Sequence, residues 1–130
     1  MTKRAIVPPK MRSLCEDWRM SPAVECNGLV FLTGFNGVPL EGELSYDPAT
    51  QIRAAFAQVD MVLQEGGMSF DDLVEMTSYH VGLRNHLELF KKIRAEHVRE
   101  PYPAWTAIEV AGFASEGVIV ELKVVARRPS

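Results

Sequence analysis

The sequence predicts an α+β fold, a mixed β-sheet with two helices on one face. Three observations carry that prediction. Asn27-Gly28 lies between two apolar runs, the strongest short signal for a hairpin. Two stretches place apolar residues at three- and four-residue spacing, the period of a helix. Two C-terminal segments, Ala104–Val110 and Gly117–Val125, alternate in character with the period of a strand.

Taken in order, Arg4–Val7 forms a short edge strand, stopped at Pro8-Pro9 because proline has no N–H to give a ladder. Met11–Pro22 is irregular. Ala23–Cys26 and Leu29–Thr33 are the arms of the hairpin, and Gly34–Asp47, rich in Gly, Pro and Asn, reads as a loop. Asp47 caps a helix that opens with Pro48 and carries Ile52, Ala55, Phe56, Val59, Val62 and Leu63 on one stripe. Gly66-Gly67 ends it. Ser69–Asp72 is a capped single turn, and Leu73–Val81 is a strand. A second helix runs from about Asn85 to Val98, with Leu87, Phe90 and Ile93 inward, until Pro101 and Pro103 stop the chain.

At 130 residues the chain is expected to form a single domain, residues 1–130, large enough to bury a core without staples. The two cysteines, with no secretory leader before them, suggest reduced thiols and a cytoplasmic protein. No apolar run reaches the roughly 20 residues of a membrane span, so no membrane partner is expected. The net charge of −3 and scattered basic residues give no footprint for nucleic acid.

The two last strands bear most on function. Val118, Val120, Leu122 and Val124 share one face of the second, and Ile119, Glu121, Lys123 and Val125 share the other. In the first, Trp105, Ala107 and Glu109 share a face. If the two strands pair, Trp105, Glu121 and Lys123 line one side of the sheet. That side is too apolar for open water and too charged for a plain core. A homo-oligomer that covers it is expected, with a ligand cleft at the seam.

Leu29-Val30-Phe31-Leu32-Thr33-Gly34, the Ala- and Gln-rich helix from Gln51, Leu63–Gly67 with Phe70-Asp71-Asp72-Leu73-Val74, Tyr102-Pro103-Ala104 and Val120-Glu121-Leu122 occur in that order. Together they resemble the Rid/YjgF family of reactive-intermediate deaminases, also labelled endoribonuclease L-PSP, from about Ser21 to Arg127. The resemblance implies a chorismate-mutase-like subunit, a homotrimer and clefts between subunits where enamines or imines are hydrolysed without a cofactor. It implies that Glu121 faces a water, and that Thr33-Gly34 contact the substrate. The family's carboxylate-binding arginine, in its Pro-Ala-Arg motif, falls at Trp105. Its frequent cysteine falls at Ala107, its tyrosine at Ala23 and its glutamine at Phe35. Trp105 offers a stacking face and one N–H donor in place of a cation.

Each candidate has a plainer alternative. Glu121 is an acid/base or a charged strand residue at an interface, paired with Lys123 or a neighbour. Trp105 stacks on a planar ligand or plugs the seam between subunits. Gly34 approaches a ligand or only permits a turn. Glu109 reads as a solvated strand end. His80, His86 and His97 have no tight ligand spacing, so no metal is expected. Arg12, Arg19 or Arg84 are candidates to replace the missing arginine. The expected function is hydrolysis of an enamine or imine, and the alternative is a non-catalytic module that binds a small metabolite.

Overall fold

The computed structural model describes residues 2–129. Strands β1 (Arg4–Ile6), β2 (Ala23–Cys26), β3 (Leu29–Leu32), β4 (Phe35–Asn36), β5 (Leu73–His80), β6 (Ala104–Glu109) and β7 (Val120–Arg127) form one mixed sheet. Its order is β1-β2-β3-β7-β5-β6, and the short β4 joins β7 past the end of β3. Among the described residues only β5 and β6 pair in parallel, and helix α3 (Leu83–Ala95) is their crossover. Helix α2 (Pro48–Glu65) precedes β5, and a short helix α1 (Arg12–Trp18) precedes β2.

Local chemistry explains most boundaries. Asn27 (φ 55°) and Gly28 (φ 78°) both adopt the left-handed backbone that a two-residue hairpin turn requires. The Asp47 carboxylate accepts hydrogen bonds from Thr50 N–H at 3.0 Å and from its hydroxyl at 2.8 Å, closing the N-terminus of α2. Gly67 (φ 74°) turns the chain out of that helix. The Ser69 N–H donates to Asp72 at 2.9 Å in the turn that follows.

Helix α2 buries Ile52, Ala55, Phe56, Val59, Val62 and Leu63 against Val120, Leu122, Val124 and Ala126 of β7. α3 adds His86, Phe90 and Ile93. The opposite face carries half-buried Glu121, Lys123 and Val125, with exposed Phe31, Val74 and Ile108. No helix among the described residues is long and apolar enough to cross a membrane.

Four expectations are corrected. Met11–Pro22 is not irregular: a 3-10 turn (Pro9–Met11) leads into α1. That helix has no side-chain cap and no fully buried residue, so it lacks both a start signal and an apolar stripe. Gly34–Asp47 contains β4, too short to show a period. α3 starts at Leu83 because Glu109 reaches across from β6 and accepts the N–H groups of Gly82 and Leu83, at 2.8 and 2.7 Å. Glu109 is therefore a helix cap supplied by a strand, which also holds its carboxyl below the ordinary range.

The fourth correction matters most. β6 and β7 do not pair, because β5 lies between them. Trp105 and Val124 both stand opposite Met76, whereas Ile108 and Glu121 both stand opposite Tyr79. Positions 76 and 79 point to opposite faces. Trp105 and Ala107 thus lie on the helix-covered face and Glu121 on the open one. Within one chain they do not share a wall.

Candidate functional site

The site is built from the β3–β4 corner and the strand beside it. Thr33 and Gly34 form the corner, with the Thr33 N–H donating to the Pro22 carbonyl at 2.9 Å. β4 then pairs Phe35 with Leu122 and Asn36 with Glu121. A Cβ at Gly34 would lie 2.5 Å from Oε2 of Glu121, so the carboxylate can rest there only against a bare backbone. Asn36 Nδ2 donates to Glu121 Oε1 at a long 3.4 Å. The Asn36 side-chain oxygen accepts from Val38 N–H, and Gln58 of α2 donates to the carbonyls of both Asn36 and Val38. This ties β4 to the scaffold.

These residues open onto a cavity of about 360 Å³. Thr33, Gly34, Phe35, Asn36 and Glu121 line one side, and Trp18 and Met20 stand across from them. Within one chain the indole that walls the hollow is Trp18 of α1, 66% exposed, and Trp105 does not line it. The Thr33 hydroxyl already contacts Met20 Sδ at 3.2 Å. Lys123, one step along the same face, turns its amine to the Leu32 carbonyl instead of to Glu121. Burial pushes that amine below the usual lysine value, with Glu75 opposing. Among the described residues no Lys or Arg forms an ion pair with Glu121. A half-buried, unpaired carboxylate on a largely apolar wall can accept a proton from water or from a ligand N–H. Arg12, Arg19 and Arg84 do not line this cavity.

Trp105 belongs to a different set of residues. Its Nε1–H donates to Ser78 Oγ at 2.8 Å. Ser78 Oγ is also 2.8 Å from His80 Nε2, and His80 Nδ1 is 3.0 Å from His86 Nε2. Ser78 and His80 are fully buried and His86 nearly so. Burial holds His80 down to about 4, and the neighbouring His86 adds to that; His86 is lowered by burial as well. Burial thus disfavours the charged form of both rings. A strand and a helix bring this pair together, which their sequence spacing did not reveal. Among the described residues no group of three or more His, Cys, Asp or Glu is placed to hold a metal ion. Ala107, opposite Ser78 in the register, lies beside this chain and away from Glu121.

A small α+β chain with a carboxylate of its last long strand facing a hollow at the β3–β4 corner has clear relatives. The chain belongs to the Endoribonuclease L-PSP family, whose model matches residues 16–128, and so to the Rid/YjgF group. It is 34% identical to the RutC family protein YjgH of Escherichia coli (strain K12), over 98% of this chain and 96% of that one. It is 28% identical to TdcF of the same organism, over 81% of this chain and 83% of that one; TdcF's name carries a provisional assignment as a reactive intermediate deaminase. The solved structure of protein YJGH superposes with a TM-score of 0.89 at 33% identity, covering 100% of this chain and 99% of that one.

Proposed function

We propose that the chain hydrolyses a reactive enamine or imine to a carbonyl compound and ammonia, in a cleft completed by a neighbouring copy in a homotrimer. The observation that carries this reading is the unpaired Glu121 carboxylate, held against Gly34 and Asn36 on the wall of a 360 Å³ cavity. An enamine first takes a proton at carbon and gives one up from nitrogen, and so becomes an imine. The oxygen of water then adds to the C=N carbon while nitrogen gains a proton. The adduct's hydroxyl then passes its proton to nitrogen as the C–N bond breaks, so that ammonia leaves and a carbonyl remains. Glu121 takes the water's proton and returns it to nitrogen, which needs one carboxylate and no cofactor. Thr33 and Gly34 contact polar atoms of the substrate. Trp18, Phe35 and Leu40 favour a bulky or aromatic side group.

The exposed sheet face supports the same reading from another side. Phe31, Val74 and Ile108 are 43%, 42% and 40% exposed on a sheet face that no helix of this chain covers. A second copy laid on that face removes them from water. Trp105, on the other face of its own sheet, enters the cleft of the next copy.

One observation favours a second reading, binding without turnover: Trp105 stands at the position of the family's arginine, which removes polar machinery and keeps a flat ring. Imines generated in place by an amino-acid oxidase test both. Faster imine loss with the purified protein supports hydrolysis. A ligand that raises the melting temperature and is never consumed supports binding alone. Neither effect across aliphatic and aromatic imines would remove both readings.

A further inference from the structure

We propose that Ser78 is a positioning residue for substrate binding: it holds Trp105 by the one polar atom of the indole, so that Trp105 offers the next copy's cleft a fixed surface with no free hydrogen-bond donor. This rests on the hydrolysis read at Glu121 and on the assembly that brings Trp105 into a neighbour's cleft.

Ser78, His80 and His86 are polar groups in the apolar layer between the sheet and α3, where each needs a partner. They find partners in one another and in Trp105. The indole Nε1–H can only donate, so Ser78 Oγ accepts it, at 2.8 Å. Among the described residues Ser78 Oγ has one other partner, His80 Nε2 at 2.8 Å, and His80 Nδ1 is 3.0 Å from His86 Nε2. With a proton on His80 Nε2, Ser78 would face two donors and its own hydroxyl proton would have no acceptor. With the Ser78 hydroxyl donating to His80 Nε2, and His80 Nδ1–H donating to His86 Nε2, every proton in the row has one. The donors then all point from Trp105 towards His86, and each bond polarises the next. By taking the hydroxyl proton, His80 keeps a Ser78 lone pair turned to the indole.

Register makes the reach possible. Ser78 stands opposite Ala107 of β6, two positions along from Trp105 on the same face. Ala107 carries only a methyl, so the indole can lean across it to the serine. An indole has a single N–H, and here it is used inside its own chain. A ligand that touches Trp105 therefore meets only apolar ring, which selects an apolar or aromatic side group.

The plainer account is a polar cluster that merely satisfies itself, with Trp105 held by packing. The Arg94 guanidinium carbon lies 4.3 Å from the Trp105 ring centroid, and the Phe90 ring is 5.8 Å away between centroids. Contacts on its faces fix the plane of a ring but not its rotation within that plane. The directional bond to Ser78 fixes the rotation. Under packing alone, loss of the hydroxyl leaves the ring where it is.

Ser78→Ala and Trp105→Phe, separately and together, test this, because phenylalanine keeps a flat ring and has no N–H. The assay is ammonia release from the imine that an amino-acid oxidase makes from phenylalanine, at limiting and at saturating imine. Ser78→Ala is expected to lower the rate about fivefold at limiting imine, the equivalent of one ordinary hydrogen bond, and by no more than about twofold at saturation. In the Trp105→Phe background the same substitution should have no further effect, since the N–H through which Ser78 acts is gone. With isotope-labelled tryptophan, the indole N–H signal lost in Trp105→Phe belongs to Trp105. Its exchange with solvent should be at least about tenfold faster in Ser78→Ala than in the parent. Parent-like rates in Ser78→Ala at limiting imine, an equal loss in the Trp105→Phe background, or unaltered indole exchange would each overturn the proposal. If Ser78→Ala does not fold, Ser78→Cys, close in size and a much weaker acceptor, takes its place on the same terms. A parent no faster than buffer would instead remove the hydrolysis at Glu121, and this proposal with it, whereas failure of the Ser78 role alone shows only in the variants of an active parent.

Discussion

Gly34 and Glu121 fit together as backbone and carboxylate: a methyl group on the glycine would come within 2.5 Å of Oε2. The atom it would meet is the tip of a flexible side chain. Gly34→Ala should therefore swing the carboxylate away and leave stability within about 1 kcal/mol of the parent. Gly37 gives the opposite contrast, because a Cβ there would meet the backbone carbonyl of Gln51 at 2.6 Å. Gly37→Ala should cost about 1–3 kcal/mol, since α2 or the β4 corner must shift. Chemical denaturation of both variants, beside a ligand-binding or turnover assay, separates the two effects.

Gln51 is buried at the start of α2 and holds the segment entering β7 from two sides. Its Nε2 donates to the Gly117 carbonyl at 2.7 Å, and its Oε1 accepts the Ile119 N–H at 3.0 Å. Gln51→Leu keeps the volume and strands both backbone groups. A loss of about 2–3 kcal/mol in urea unfolding is expected, from the desolvation left uncompensated.

Three histidines make stability fall on the acid side of neutrality. His80, His86 and His97 are all lowered by burial, His80 to about 4 from an ordinary 6.5. Between those values the unfolded chain binds protons that the folded chain does not, so stability decreases as pH drops from above 6.5 towards 4. His80 alone accounts for roughly 3 kcal/mol of that change. Carboxylates such as Glu25, held near 2 chiefly by Arg128 and then by Arg4, begin to contribute only below their ordinary value of 4.5. Urea midpoints measured from pH 8 to 5 should fall steadily, and His80→Gln should flatten the slope without abolishing it.

Self-association through the open sheet face predicts a mass near three times 14.5 kDa in sedimentation. Phe31→Lys or Ile108→Lys should shift the protein towards monomer. At about 25 cal/mol per Å² of apolar area, each lost contact is worth on the order of 1–2 kcal/mol per subunit. A monomeric parent protein would contradict the shared cleft.

Periodicity and turn chemistry made most of the fold legible. The Asn27-Gly28 hairpin, the Asp47-Pro48 start of α2 and the alternating faces of β7 are local signals that the packing respects. The neighbours of each strand were not legible. Inserting β5 between β6 and β7 is a long-range choice, and it moves Trp105 from the wall of Glu121 to a seat under Arg94. Trp18 was hidden for another reason. Its helix makes almost no core contact of its own, so nothing in its pattern distinguishes it from a loop. The His80–His86 contact and the cap from Glu109 join residues on different elements.

The most direct measurement compares ammonia release by the parent protein and by Glu121→Gln, on an imino acid formed in place by an amino-acid oxidase, with the oligomer mass confirmed for both. The parent is expected to exceed the rate in buffer alone, and Glu121→Gln to fall by about a hundredfold or more as its proton transfers are lost. Equal rates in the two proteins, or a parent no faster than buffer, would contradict the role assigned to Glu121.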